Sequence, residues 1–317
     1  MELWLIILLS CLGALVLICL GIALVCFILT FYSAKRTELD LDNFQLPPGE
    51  SYEPFREQIR TWIKKARETE HKCYSIKSHD GLTLRAKYYE CNPGGVVEIL
   101  FNGYRSDAER DMSAAVERCF ALGRNALIVN QRACGDSDGH VITFGAKERL
   151  DAIAWAKFAA AEFGESTPLI LAGVSMGAAT VLLASALELP KNVACILADC
   201  PYSSAKEIIK KVVKEDVHLP PRLVYPFICL GARIFGGFKL KDADVIKAVK
   251  KSNTPIIFIH GDNDSFVPSN MSTELYDACA SEKKKLVFVK GAGHGLAYPV
   301  DKDFYLASIK DFEKEWI

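Results

Sequence analysis

"LILAGVSMGAAT", residues 169–180, runs an apolar stretch into Gly173-Val174-Ser175-Met176-Gly177 and then into small residues. The aliphatic run before the glycine reads as a strand, and "AATVLLASAL" after it as a helix. A serine at that corner is a poor core residue and an ordinary cap. It is, however, well placed as a nucleophile. Small neighbours let the chain turn tightly, the turn exposes the hydroxyl beyond the strand, and the helix N-terminus favours developing negative charge. The bland alternative is a glycine-rich strand-to-helix turn with no chemistry.

Outward from this corner, short apolar runs alternate with helical periods. Strands are predicted at 96–101, 126–130, 168–173, 194–198, 256–260 and 286–289, and helices near 52–70, 107–122, 146–163, 177–188, 268–281 and 301–316. Such alternation predicts an α/β fold, a mostly parallel sheet covered on both faces. "KCYSIKSHDGLTLRAKYYE", residues 72–90, alternates and turns at Asp80-Gly81, which predicts an antiparallel hairpin leading in. Residues 56–317 read as one domain. One segment breaks the rhythm: 203–250 is too long for a single crossover and predicts a helical lid insertion. Its first part is amphipathic, with Ile208, Ile209, Val212 and Val213 on one side, and residues 219–238 are strongly apolar.

No charged residue occurs from Leu3 to Tyr32. Thirty residues of helix span about 45 Å, more than a hydrocarbon core of roughly 30 Å. Residues 1–35 are therefore expected to be a retained transmembrane anchor. A cleaved signal peptide fits less well, because the apolar run is long and Glu2 stands where a basic residue belongs. Lys35 and Arg36 follow the span, so the positive-inside rule puts the C-terminal domain in the cytoplasm. The polar stretch 36–55, with Pro47-Pro48-Gly49, reads as a linker.

The 317 residues carry a formal net charge of −1 with half of them hydrophobic, which argues against nucleic acid as a partner. Eleven dispersed cysteines, with no CxxC and no His/Cys cluster at ligand spacing, exclude a zinc motif and fit a reducing compartment. No dinucleotide fingerprint or P-loop is present, and serine chemistry needs no cofactor. Oligomeric state is not set by the sequence.

A nucleophilic serine needs a base, and the base an orienting acid. Of six histidines, only His294 lies in a glycine-rich loop, "KGAGHGLAYP", directly after the last strand. His260 ends a strand and reads as a packed or hydrogen-bonded structural residue. "HGDNDSFVP" after the preceding strand offers Asp262 and Asp264, and Asp199 ends the strand after the corner. The order Ser, Asp, His is neither that of chymotrypsin nor that of subtilisin.

Five stations, "ILFNGYRSD", "NQRACGDSDG", "GVSMG", "IHGDNDSFVP" and "GAGHG", stand at strand ends in family order. By them the chain from about residue 70 onward resembles the α/β-hydrolase superfamily, in its esterase and lipase-like branch with an N-terminal anchor. The resemblance implies Ser175, Asp264 and His294 as a catalytic triad, with Asp262 shaping the turn and Asp199 the competing acid. It implies an oxyanion hole of two backbone donors, Met176 N–H and Tyr104 N–H. It also implies hydrolysis of an ester or thioester of a hydrophobic acyl or lipid-like substrate through an acyl-serine, without cofactor or metal. An acyltransferase, an amidase or peptidase on the same triad, and a non-catalytic binding module stay open. The sequence departs from the family in having Asn102-Gly103 for His-Gly, and Asn130 and Ala133 within the usual Asp-x-Arg-Gly-x-Gly. Arg132 there is expected to be structural. Lys206, Lys210, Lys211 and Lys214, ahead of the apolar 219–238 run, suit anionic headgroups.

Overall fold

The computed structural model describes residues 3–34, 40–41 and 50–316. Lys35 and Arg36, on which the expected orientation rests, and most of the expected linker lie outside them. The described chain begins with α1 (Leu3–Thr30), long and apolar enough to cross a membrane. A 3₁₀ turn (Glu50–Phe55) then leads into α2 (Arg56–Glu68). The single helix expected over 52–70 is thus divided, at the end of the turn that contains Pro54.

The hairpin follows as β1 (Lys72–Lys77) and β2 (Thr83–Tyr89), then β3 (Val97–Phe101), α3 (Ala108–Ala121), β4 (Asn125–Asn130) and α4 (Glu148–Phe163). Next come β5 (Leu169–Val174), α5 (Met176–Ala184) and β6 (Val193–Asp199). The 203–250 segment holds α6 (Ala205–Glu215), α7 (Pro221–Ile234) and the short α8 (Val245–Val249). The chain closes with β7 (Ile256–Gly261), α9 (Asn270–Ala278), β8 (Lys284–Val289), α10 (Ala297–Val300) and α11 (Lys302–Trp316).

One eight-stranded sheet results, in the order β1-β2-β4-β3-β5-β6-β7-β8. The two pairings of β2, with β1 and with β4, are antiparallel; from β4 to β8 along the sheet every pairing is parallel. Period-2 alternation sends Ile99 and Phe101 into one core layer and Leu100 into the other. The first layer lies under α4, α5, α8 and α9, the second under α2, α3 and α11. All the parallel strands therefore end at one rim, where ligand sites of open parallel sheets form.

The insertion rises from a neck between Ser204 and Asp244, which form an isolated bridge. Its apolar part is α7, and one face of α7 (Ile228, Gly231, Ala232) packs on the end of α1. A Cβ on Gly231 would stand 2.5 Å from Ala23 O, so only glycine lets these two helices approach so closely. Leu219, Leu223, Ile234 and Phe235 remain exposed. Lys211 is not turned to solvent as the headgroup reading expects: its Nζ donates to Ser265 O at 2.9 Å and pairs with Glu215 at 2.7 Å.

Nor does α1 stop short of the domain. Phe31 is fully buried, edge-on to Phe144 and Phe238 at centroid distances of 5.8 and 5.2 Å. Ser33 N–H donates to His140 O, and Ile142 N–H to Phe31 O. Phe31→Ala should destabilise the whole domain by about 3–5 kcal/mol, as truncation of a buried aromatic does elsewhere. Thermal unfolding of the full chain in detergent measures this; an unchanged midpoint would mean the helix end is a mere tether.

Candidate active site

The β5–α5 corner has the shape its sequence suggests. Ser175 adopts φ 55° and ψ −115°, a conformation non-glycine residues rarely hold. Its N–H donates to Asp199 O at 2.8 Å, which fixes the turn against the next strand. Both flanking glycines are obligatory. A Cβ on Gly173 would meet Gly177 C at 2.3 Å, and one on Gly177 would meet Phe101 O at 1.9 Å.

The turn presents Ser175 Oγ 2.9 Å from His294 Nε2, and His294 Nδ1 lies 2.7 Å from Asp264 Oδ2. His294 comes from the glycine-rich loop after β8. Its carbonyl accepts from Tyr52 Oη at 2.7 Å, and its ring stands edge-on to Phe266 at 5.1 Å. Asp264 is buried at the end of β7. Its Oδ1 accepts from the N–H groups of Phe266 and Val267 at 2.9 and 2.8 Å. Burial alone would push its carboxyl up, but hydrogen bonds from His260 and His294 hold it well below the usual carboxylate range. It is an anion throughout the neutral range.

Of the three candidate acids, the one that reaches His294 is Asp264. Asp262 is exposed and accepts from Gly291 N–H at 2.6 Å, tying its turn to the histidine loop. Asp199 Oδ2 accepts from Tyr305 Oη at 3.0 Å, and burial pushes its carboxyl up. His260 is buried, as expected of a structural histidine, with a further task. Nε2 faces Asp264 Oδ2 at 3.1 Å and Val267 O at 2.9 Å, both acceptors, so that nitrogen carries the proton. Nδ1 then accepts from Ser272 Oγ at 2.6 Å. Asp264 is thereby held by two histidines and two backbone amides.

The loop after β3 lies opposite. A Cβ on Gly103 would stand 3.8 Å from Ser175 Cβ. As the first residue of α5, Met176 has an N–H with no intrahelical acceptor. Three supports of the loop escaped the sequence reading. Asp111 Oδ2 accepts from Gly103 N–H at 2.8 Å. Asn102, fully buried, accepts from Gln131 N–H at 3.1 Å, and Gln131 Nε2 donates to Asn102 O at 2.6 Å. All three are polar residues within runs that register as loop or helix surface, so no periodicity marks them.

The departures in "NQRACG" also find places. Asn130 donates to Asp136 and accepts from Ala108 N–H, both at 2.7 Å. Ala133 holds φ 60°, at a cost of roughly 1–2 kcal/mol that glycine would avoid. Arg132 is buried and bonds Asp151 and Asp80 with both arms of its guanidinium, joining the hairpin turn to α4.

Among the described residues, Cys200, Asp264 and His294 bring donor atoms within 4.8 Å of one another. Burial pushes the Cys200 thiol up, and the other two groups are bonded to each other, so the set is a poor metal site.

Residues 231–301, which hold Asp264 and His294 but not Ser175, match a family model described as serine aminopeptidase, S33. Over 303 residues the chain is 22% identical to the uncharacterized protein YqkD of Bacillus subtilis, covering 95% of this chain and 94% of that one. It is 24% identical over 193 residues to the uncharacterized membrane protein YNL320W of Saccharomyces cerevisiae, covering 60% and 61% respectively. In structure it is similar to the Pyrococcus furiosus esterase Pf2001, with a TM-score of 0.65 and 25% identity across 80% of this chain and 93% of that one. The chain has the α/β-hydrolase fold, and the proteins it resembles include hydrolases and an esterase.

Proposed function

We propose that the protein is a membrane-anchored serine hydrolase that cleaves esters of hydrophobic acyl groups through an acyl-serine. The observation that carries this reading is the hydrogen-bonded line from Ser175 Oγ through His294 to a buried, ionised Asp264. Ser175 Oγ attacks the carbonyl as His294 Nε2 takes its proton, and Asp264 keeps Nδ1 protonated and stabilises the imidazolium. The N–H groups of Met176 and Tyr104 receive the tetrahedral oxygen. His294 then returns the proton to the leaving alcohol, and water repeats the sequence to free the acid.

The anchor is α1, and Lys35 and Arg36 set the domain on the cytoplasmic side. The exposed apolar residues of α7 and Phe266 at the rim support a lipid-like substrate entering beneath a lid formed by the insertion. The test is turnover by the full chain in detergent on p-nitrophenyl esters of graded chain length, with fluorophosphonate labelling alongside. Medium chains are expected to exceed acetate in kcat/KM by at least about 10-fold, the low end of what one methylene is worth in an apolar pocket. A preference for acetate would remove the hydrophobic-acyl reading. Because the S33 match names an aminopeptidase, amino-acid p-nitroanilides belong in the same screen. Faster cleavage of these than of any ester would make the protein a peptidase on the same residues.

A further inference from the structure

The carbonyl groups at the C-terminal end of a helix lack intrahelical partners and must be satisfied from outside. At the end of α1 they are satisfied by the loop that follows β3. Arg105 Nη2 donates to Leu29 O at 2.8 Å, Tyr32 O at 2.9 Å and Ile28 O at 3.3 Å. Tyr104 Oη donates to Thr30 O at 2.7 Å. The guanidinium of Arg105 also lies 5.2 Å from the centre of the Tyr104 ring. That ring in turn packs 5.1 Å from Phe144, which stands edge-on to Phe31 of the same helix end. A cation at a helix C-terminus is favoured by the helix dipole as well.

These contacts meet on two adjacent residues, one of which supplies the second oxyanion donor in the function proposed above. Arg105 itself holds φ 50°, so the peptide after the donor sits in a conformation that its surroundings must impose. The Tyr104 and Arg105 side chains both reach the helix end. We infer that the end of the membrane helix is a working part of the catalytic site: through Arg105 and the Tyr104 hydroxyl it positions the Tyr104 N–H at the oxyanion. Arg105 is then a positioning residue, and the anchor more than an attachment. A donor displaced by about 1 Å loses on the order of 10²-fold in rate, comparable to its deletion.

The inference rests on Tyr104 N–H serving the oxyanion, and its test separates the two claims. The full chain in detergent is compared with Arg105→Ala, Arg105→Lys and Tyr104→Phe for kcat, KM and inhibition by an alkyl boronate, which forms a tetrahedral adduct on serine. Arg105→Ala is expected to lower kcat by about 10- to 100-fold with KM within about twofold. Boronate affinity should fall by the same factor as kcat/KM, because both need the oxyanion donor. Arg105→Lys should recover part of the loss by meeting one carbonyl. Tyr104→Phe, which deletes a single oxygen and keeps the ring, should lower kcat several-fold with the unfolding temperature retained. Wild-type kcat in both Arg105→Ala and Tyr104→Phe, or a loss confined to KM, overturns the inference. Turnover surviving in Ser175→Ala would instead overturn the serine-hydrolase reading beneath it.

Discussion

Ser175→Ala in the full-length protein is expected to lower ester turnover by about 10⁶-fold, as loss of a triad serine does in subtilisin, and to abolish fluorophosphonate labelling. The hydroxyl is the attacking atom, and no other side-chain hydroxyl is bonded to His294 Nε2 among the described residues. Folding should be untouched, because the serine's structural bonds are made by its backbone. Ser175→Gly should be as inactive yet more stable by about 1 kcal/mol, since glycine relieves the positive φ at some cost in unfolded-chain entropy. Labelling undiminished in Ser175→Ala would take that residue out of the site.

Asp264→Asn should cost about 10⁴-fold in turnover, the scale seen when a triad aspartate is amidated. An amide at that position offers His294 Nδ1 no full charge and permits the wrong tautomer. Here the substitution also turns the amide toward His260, whose protonated Nε2 loses an anionic acceptor. Asp262→Asn should cost less than about 10-fold, because Gly291 N–H can bond an amide oxygen as well. Kinetics of the two variants on one ester decide the matter. Comparable losses, or a reversed order, would mean that the histidine is oriented by something other than Asp264.

Local pattern carries far in this chain. The strand-turn-helix corner at Ser175, the parallel run from β3 to β8 and the loops holding Asp264 and His294 all stand in short stretches. There period, glycine spacing and chain order point the same way. What was hidden depends on contacts between distant segments. Asn102 reads as a missing histidine until Gln131 is seen bonding both its side chain and its carbonyl. The α7 run reads as an apolar lid, and only Gly231 against Ala23 explains why half of it is spent on another helix. Arg105 shows nothing but a lone charge in a loop, because its partners are carbonyls about 75 residues earlier and carbonyls have no sequence signature.

Phe31 and Ser33 fix the chain to the domain before the polar stretch begins, and Tyr52 fixes it again beyond. A free tether of 20 residues would let a domain wander roughly 25 Å from its exit point. With α1 in a bilayer, this domain has one height and one tilt over the lipid. Its encounters are then a search in two dimensions. If the substrate is the lipid-like ester proposed above, it arrives by lateral diffusion, and turnover is expected to follow its mole fraction in the lipid rather than its concentration in the surrounding water.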